Sequence, residues 1–170
     1  MNFDTEEQKK ARLKALHLLE YMDRTEIELK NRLVQSGFSG EAVQDAVEYV
    51  KSFGYVDDER YAHNYILGRM GTKSRQKILH SLIQKGVKRD IAERVWEEIL
   101  ETAEVEEPDE RKMIRKQILK KYTENTILDE KEMRRLSAFL MRRGFCMHDI
   151  SKVLEDMEIT VQYKKYKTIY

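Results

Sequence analysis

Apolar positions recur along this chain at intervals of three and four, the spacing that lines side chains up on one face of an α-helix. Ala11, Ala15, Leu18 and Met22 form one such stripe, Leu29 and Leu33 a second, and Val43, Ala46, Val47 and Val50 a third. The borders between them carry helix punctuation. Thr25 and Glu28 have the spacing of a capping box, Gly37 reads as a left-handed helix stop, Ser39 as the next N-cap and Gly54 as the next stop. Three helices are therefore predicted in the first third of the chain.

The same order then recurs. Asp57, Asp58 and Glu59 place acids at a helix start, where they meet the positive end of the helix dipole, and Tyr61, Ala62, Tyr65 and Ile66 follow as the expected buried stripe. Ser74 is the predicted cap of a helix bearing Ile78 and Leu82, Gly86 ends it, and Ile91, Val95 and Ile99 mark another. Leu29, Leu33, Gly37 and Phe38 superpose in spacing on Ile78, Leu82, Gly86 and Val87, and again on Leu136, Leu140, Gly144 and Phe145. An apolar pair four apart follows each glycine: Val43 and Val47, Ile91 and Val95, Ile150 and Leu154. One three-helix unit is thus repeated three times, with expected boundaries at 1–54, 55–107 and 108–170. The glycines are 49 and then 58 positions apart. The longer interval is assigned to the acidic stretch Glu101 to Glu110, with Pro108 near the first position of the next helix.

Composition supports an all-α class. Seven Gly, one Pro and 37% charged residues give little of the turn chemistry that bounds strands, so strands are not expected. Units of this size bury little core alone, and the expected architecture is three tandem three-helix repeats in an elongated, curved array. The longest apolar run, Ala138 to Met141, falls far short of the roughly 20 residues that span a bilayer, and the start of the chain has no apolar signal core. A single cysteine, Cys146, forms no internal disulfide. A soluble cytoplasmic chain, without a membrane association, is the expectation.

A net charge of +1 hides a polarity, because the three segments carry −2, −2 and +5. Arg60 to Arg89 also contains no acid in 30 residues, while holding Arg60, Arg69, Lys73, Arg75, Lys77, Lys85, Lys88 and Arg89. Ordinary solvated helices interleave both signs, so this window is a candidate electrostatic footprint. A second candidate is Arg134, Arg135, Arg142 and Arg143, together with the basic stretch from Tyr163 to Lys167.

The sequence offers no catalytic constellation. His17, His63, His80 and His148 lie on different predicted helices, and Cys146 with His148 offers at most two metal ligands, read here as a packed thiol and an exposed imidazole. Gly71, Thr72, Lys73 and Ser74 lack the preceding glycine and strand of a phosphate loop and read as a loop and an N-cap. Asp57 and Asp58 read as capping residues, and Tyr61 and Tyr65 as core. No enzyme activity, metal or cofactor is expected.

The chain resembles the RecX family of bacterial RecA regulators. The resemblance rests on the segment Leu19 to Leu29, on Gly54-Tyr55-Val56-Asp57-Asp58-Glu59-Arg60-Tyr61-Ala62, on Lys73 to Val87 and on Phe139 to Phe145, and it covers roughly residues 10 to 158. It implies a non-enzymatic, monomeric regulator in DNA recombination, repair and the SOS response. Such a protein docks in the groove of the RecA filament on single-stranded DNA and limits strand exchange and ATP turnover. The candidate contacts with RecA, or with single- or double-stranded DNA, are Arg60, Arg69, Lys73, Arg75, Lys77, Lys85, Arg89, Arg142 and Arg143. The alternatives are a helix-turn-helix DNA-binding protein, reading bases through Arg75 and Gln76 at the start of the Ser74 to Lys85 helix, and a structural adaptor whose basic strips are solvated surface.

Overall fold

The computed structural model describes residues 5–102 and 107–163. Among these, the three predicted helices of each repeat are present. They are α1 (Glu6–Tyr21), α2 (Glu26–Gln35) and α3 (Gly40–Ser52); α4 (Asp58–Leu67), α5 (Arg75–Gln84) and α6 (Arg89–Thr102); and α7 (Glu110–Ile118), α8 (Glu130–Arg142) and α9 (Met147–Asp156). Two strands, β1 (Ile127–Asp129) and β2 (Thr160–Gln162), accompany the third set. The chain divides into two compact units, residues 1–68 with 79–105 and residues 69–78 with 106–170.

In the first unit, Ala11 and Ala15 of α1 let that helix lie close against α3, whose Val43, Ala46, Val47 and Val50 complete a core with Leu29 and Leu33 of α2. Each fully buried Leu or Val contributes about 1.5–3 kcal/mol before the entropy of ordering it. The capping box is formed, with Thr25 accepting the Glu28 N–H at 3.1 Å and Glu28 accepting the Thr25 N–H at 3.3 Å. Ser39 and Asp57 cap α3 and α4 as expected. Helix α4 packs on α6, burying Ala62 and Ile66 together with Ala92, Val95, Trp96 and Ile99.

The second unit has its own core of Met113, Ile114, Ile118, Leu136, Leu140, Phe145, Ile150, Val153 and Leu154, extended by Leu128, Met157 and Ile159 from the strands and their flanks. The strands pair in parallel, with Ile127 opposite Thr160 and Asp129 opposite Gln162.

Gly37, Gly86 and Gly144 occupy equivalent places just beyond α2, α5 and α8, with φ of +88°, +93° and +92°. Two of them also serve as seats. Within the first unit the start of α2 rests on Gly86: Thr25 Oγ1 donates to the Lys85 carbonyl, and a Cβ on Gly86 would stand 2.6 Å from Ile27 Cβ. Within the second unit the start of α5 rests on Gly144 in the same way. The Ser74 N–H donates to the Arg143 carbonyl at 3.0 Å, and a Cβ on Gly144 would run into Ser74 Oγ and Lys77 Cβ. The middle helix of one repeat therefore begins on the glycine that ends the middle helix of the next.

Several expectations are corrected. Met22 lies beyond the end of α1 and is largely exposed, so the first stripe stops before it. Tyr61 and Tyr65 are half-buried and stack on each other, with ring centres 6.1 Å apart, so only Ala62 and Ile66 of that stripe are core. Asp109, not Pro108, starts α7: its carboxylate accepts the N–H groups of Arg111 and Lys112, and Pro108 stands one position outside the helix. The longer interval before Gly144 includes the β1 segment between α7 and α8, and strands exist where none were expected. Cys146 is exposed rather than packed, and its sulfur caps α9 by accepting the Asp149 N–H at 3.4 Å.

Candidate partner-binding surfaces

The window without acids along the chain is not without acids in space. Lys85 donates to Glu28 at 2.8 Å, and this carboxylate holds the ammonium above the ordinary lysine value of 10.5. Arg89 reaches Glu93 one turn later, at 3.5 Å. Arg75 pairs with Glu107 at 2.9 Å. Sequence distance concealed these partners: Glu28 comes from another repeat than Lys85, and Glu107 lies 32 residues from Arg75.

Arg60, Lys85 and Arg89 belong to the first unit. Arg60 is exposed, and its guanidinium donates to the Tyr55 carbonyl at 3.4 Å. Asp57 alone caps α4, and Asp58, expected to share that role, instead accepts the Glu26 N–H at 2.9 Å and so covers the start of α2. Burial pushes the Asp58 carboxyl above the usual aspartate value, against the lowering effect of that hydrogen bond.

The other six candidates, Arg69, Lys73, Arg75, Lys77, Arg142 and Arg143, all fall in the second unit. The Gly144 seat brings Lys73, Lys77, Arg142 and Arg143 close to one another. Lys73 and Arg142 are the immediate chain neighbours of Ser74 and Arg143, the two residues joined across the seat. Lys77 lends its aliphatic stem to the packing there, and the Arg143 guanidinium lies over the Phe139 ring, 4.1 Å from its centre. Parts of the two basic clusters read separately from the sequence, Lys73 and Lys77 of one and Arg142 and Arg143 of the other, thus meet at one seam. The basic stretch from Lys164 to Lys167 lies outside the described residues.

Two features escaped the sequence reading. Phe53 and Tyr55, both more than half exposed, stack with ring centres 6.0 Å apart beyond the end of α3, and Tyr49 meets Phe53 edge-on. They straddle Gly54, where the backbone leaves helical geometry, so no periodic signal could place them together. The second is a cavity between α7 and α8 bordered by Lys120, Lys121 and Arg135. The run Lys120-Lys121-Tyr122, two cations beside an aromatic, was the available signal. No group of three or more His, Cys, Asp or Glu suited to a metal occurs among the described residues, and no described helix is long and apolar enough to cross a membrane.

A tandem of three-helix domains, with helix starts resting on helix-end glycines, defines a helical repeat protein. Family models described as the first, second and third three-helix domains of RecX match residues 11–49, 57–95 and 109–154. The chain is 32% identical over 149 residues to the Regulatory protein RecX of Caldanaerobacter subterraneus subsp. tengcongensis, covering 87% of this chain and 71% of that protein. It is 31% identical over 158 residues to that of Clostridium perfringens, covering 88% and 70%. The crystal structure of RecX from Lactobacillus salivarius shares the fold, with a TM-score of 0.62 at 20% identity over 90% of this chain and 97% of that one. The chain belongs to the RecX family of regulatory proteins.

Proposed function

We propose that this chain is a non-enzymatic, monomeric, cytoplasmic regulator of RecA, which seats in the groove of the RecA–single-stranded DNA filament and limits strand exchange and ATP turnover. The observation that carries this reading is the tandem match of all three RecX domains. Three tandem domains supply several separate binding surfaces, which suits them to a filament of repeated subunits better than to one compact target. The proposed contact centres on Lys73 and Arg142 at the Gly144 seam, flanked by Arg69, Arg75, Lys77 and Arg143, with Arg60, Lys85 and Arg89 contributing from the first unit. The base-reading alternative draws less support, because Arg75, its principal cation, is paired with Glu107.

Lys73 and Arg142 also make the cleanest test. Charge reversal at Arg75 would break an ion pair, and at Lys77 it would disturb the packing on Gly144. A Lys73→Glu/Arg142→Glu protein should melt like the wild type, yet require about tenfold more protein to suppress RecA ATP turnover on single-stranded DNA at low salt. Unchanged suppression by a normally folded variant would place the contact elsewhere. Binding to DNA alone and to RecA alone, measured beside the filament, separates the three candidate partners.

A further inference from the structure

The cavity between the end of α7 and the face of α8 lies wholly within the second unit and has a volume of about 220 Å³. Its floor is Leu136, 7% exposed, with the half-buried rings of Tyr122 and Phe139. Its rim is Lys120, Lys121 and Arg135, and none of the described residues that line it is a carboxylate. Two of these cations follow α7, whose negative dipole end favours them. Arg135 has no such reason to be there: it stands in the middle of α8, without an acid partner among the described residues. An apolar hollow ringed by three cations is complementary to an apolar group flanked by anions.

We propose that this cavity docks a short acidic peptide segment of a partner protein, taking one apolar side chain into the hollow and its neighbouring carboxylates onto Lys120, Lys121 and Arg135. A nucleobase fits less well. The faces it would stack on already carry cations, Arg143 over Phe139 at 4.1 Å and Lys121 over Tyr122 at 5.1 Å. The one amide in the lining, Gln117, is 5% exposed and already accepts from Lys120 at 3.3 Å. A base edge would leave most of its polar groups unpaired there, whereas a phenylalanine or leucine side chain has none to satisfy. The site stands apart from the RecA reading, since any partner displaying such a segment would be held.

The test uses the full chain and a fluorescein-labelled Glu-Glu-Phe-Glu-Glu peptide, followed by fluorescence anisotropy without RecA or DNA. The phenylalanine peptide should bind, and Glu-Glu-Ala-Glu-Glu should bind about tenfold or more weakly because the buried side chain is lost. Lys121→Glu/Arg135→Glu, exposed positions whose replacement leaves the core intact, should weaken the phenylalanine peptide about tenfold with an unchanged melting curve. If that variant fails to fold, Lys121→Gln alone should still weaken binding. No binding, equal affinity for the two peptides, or unaltered binding by the folded variants would overturn the proposal. Displacement of the peptide by a short oligothymidylate that binds more tightly would overturn it in favour of a nucleic-acid site. A failure here would leave RecA inhibition by the same protein untouched, so the two readings fall separately.

Discussion

Gly86 and Gly144 are fixed twice over, once by a backbone turn that L residues resist and once by a neighbour that leaves no room for a methyl group. Gly37 meets only the first demand, since nothing lies within 4 Å of where its Cβ would be. Gly37→Ala should therefore cost about 1–2 kcal/mol, the left-handed penalty alone. Gly86→Ala and Gly144→Ala should each cost more, by a further 1–3 kcal/mol or so for the forced shift of Ile27 or of Ser74 and Lys77. Urea titration of the three variants checks the ordering, and equal losses would mean that the seats yield freely. The turn at each glycine was legible from its place after an apolar pair. The close approach was not, because Ile27 lies in another repeat from Gly86, and Lys77 in another from Gly144. Cys146 shows the converse limit. A thiol reads as apolar filling, and only the geometry around Asp149 reveals it as a cap.

Helix starts and stops were the most legible elements, because Thr25, Ser39, Asp57 and the glycines act on backbone groups within a few positions. The strands were hidden for the opposite reason: three residues paired with three others across α8 and α9 leave no period to detect. The start of α2 shows how such junctions respond to acid. Hydrogen bonds from Lys30 and then Lys51 hold the Glu26 carboxyl below its ordinary value of 4.5. A depressed carboxyl stabilises the fold at neutral pH, and that contribution is lost as pH falls from about 4.5 through the folded-state value. Asp58, raised by burial, works in the opposite sense: its contribution is present below the ordinary aspartate value and lost as pH rises. Glu26→Gln should thus be less stable than wild type at pH 7, by under about 1 kcal/mol given partial exposure, and the two stabilities should converge on acidification. Denaturant midpoints measured down the acid limb would show a constant gap if Glu26 were not responsible.

Across the whole molecule, the near-neutral net charge conceals a basic segment from residue 108 onward. The linear reading found that asymmetry, but it could not show that Lys73 and Arg142 stand beside one seam or that Arg75 and Lys85 are already paired. Filament binding by the wild type should weaken as potassium chloride is raised, and Lys73→Glu/Arg142→Glu should show a shallower dependence because fewer counterion-releasing contacts remain. Parallel slopes for the two proteins would argue against contact at the seam. The parallel pair β1–β2 bears on how the chain reaches its native state. Ile127 must wait for Thr160, and Leu128 shares its core with Ile159 from beyond α9. The core of this third domain is therefore completed only when its last described strand is in place. During synthesis it stays unsealed until β2 has left the ribosome, an interval in which the apolar faces of α7, α8 and α9 are open to chaperones.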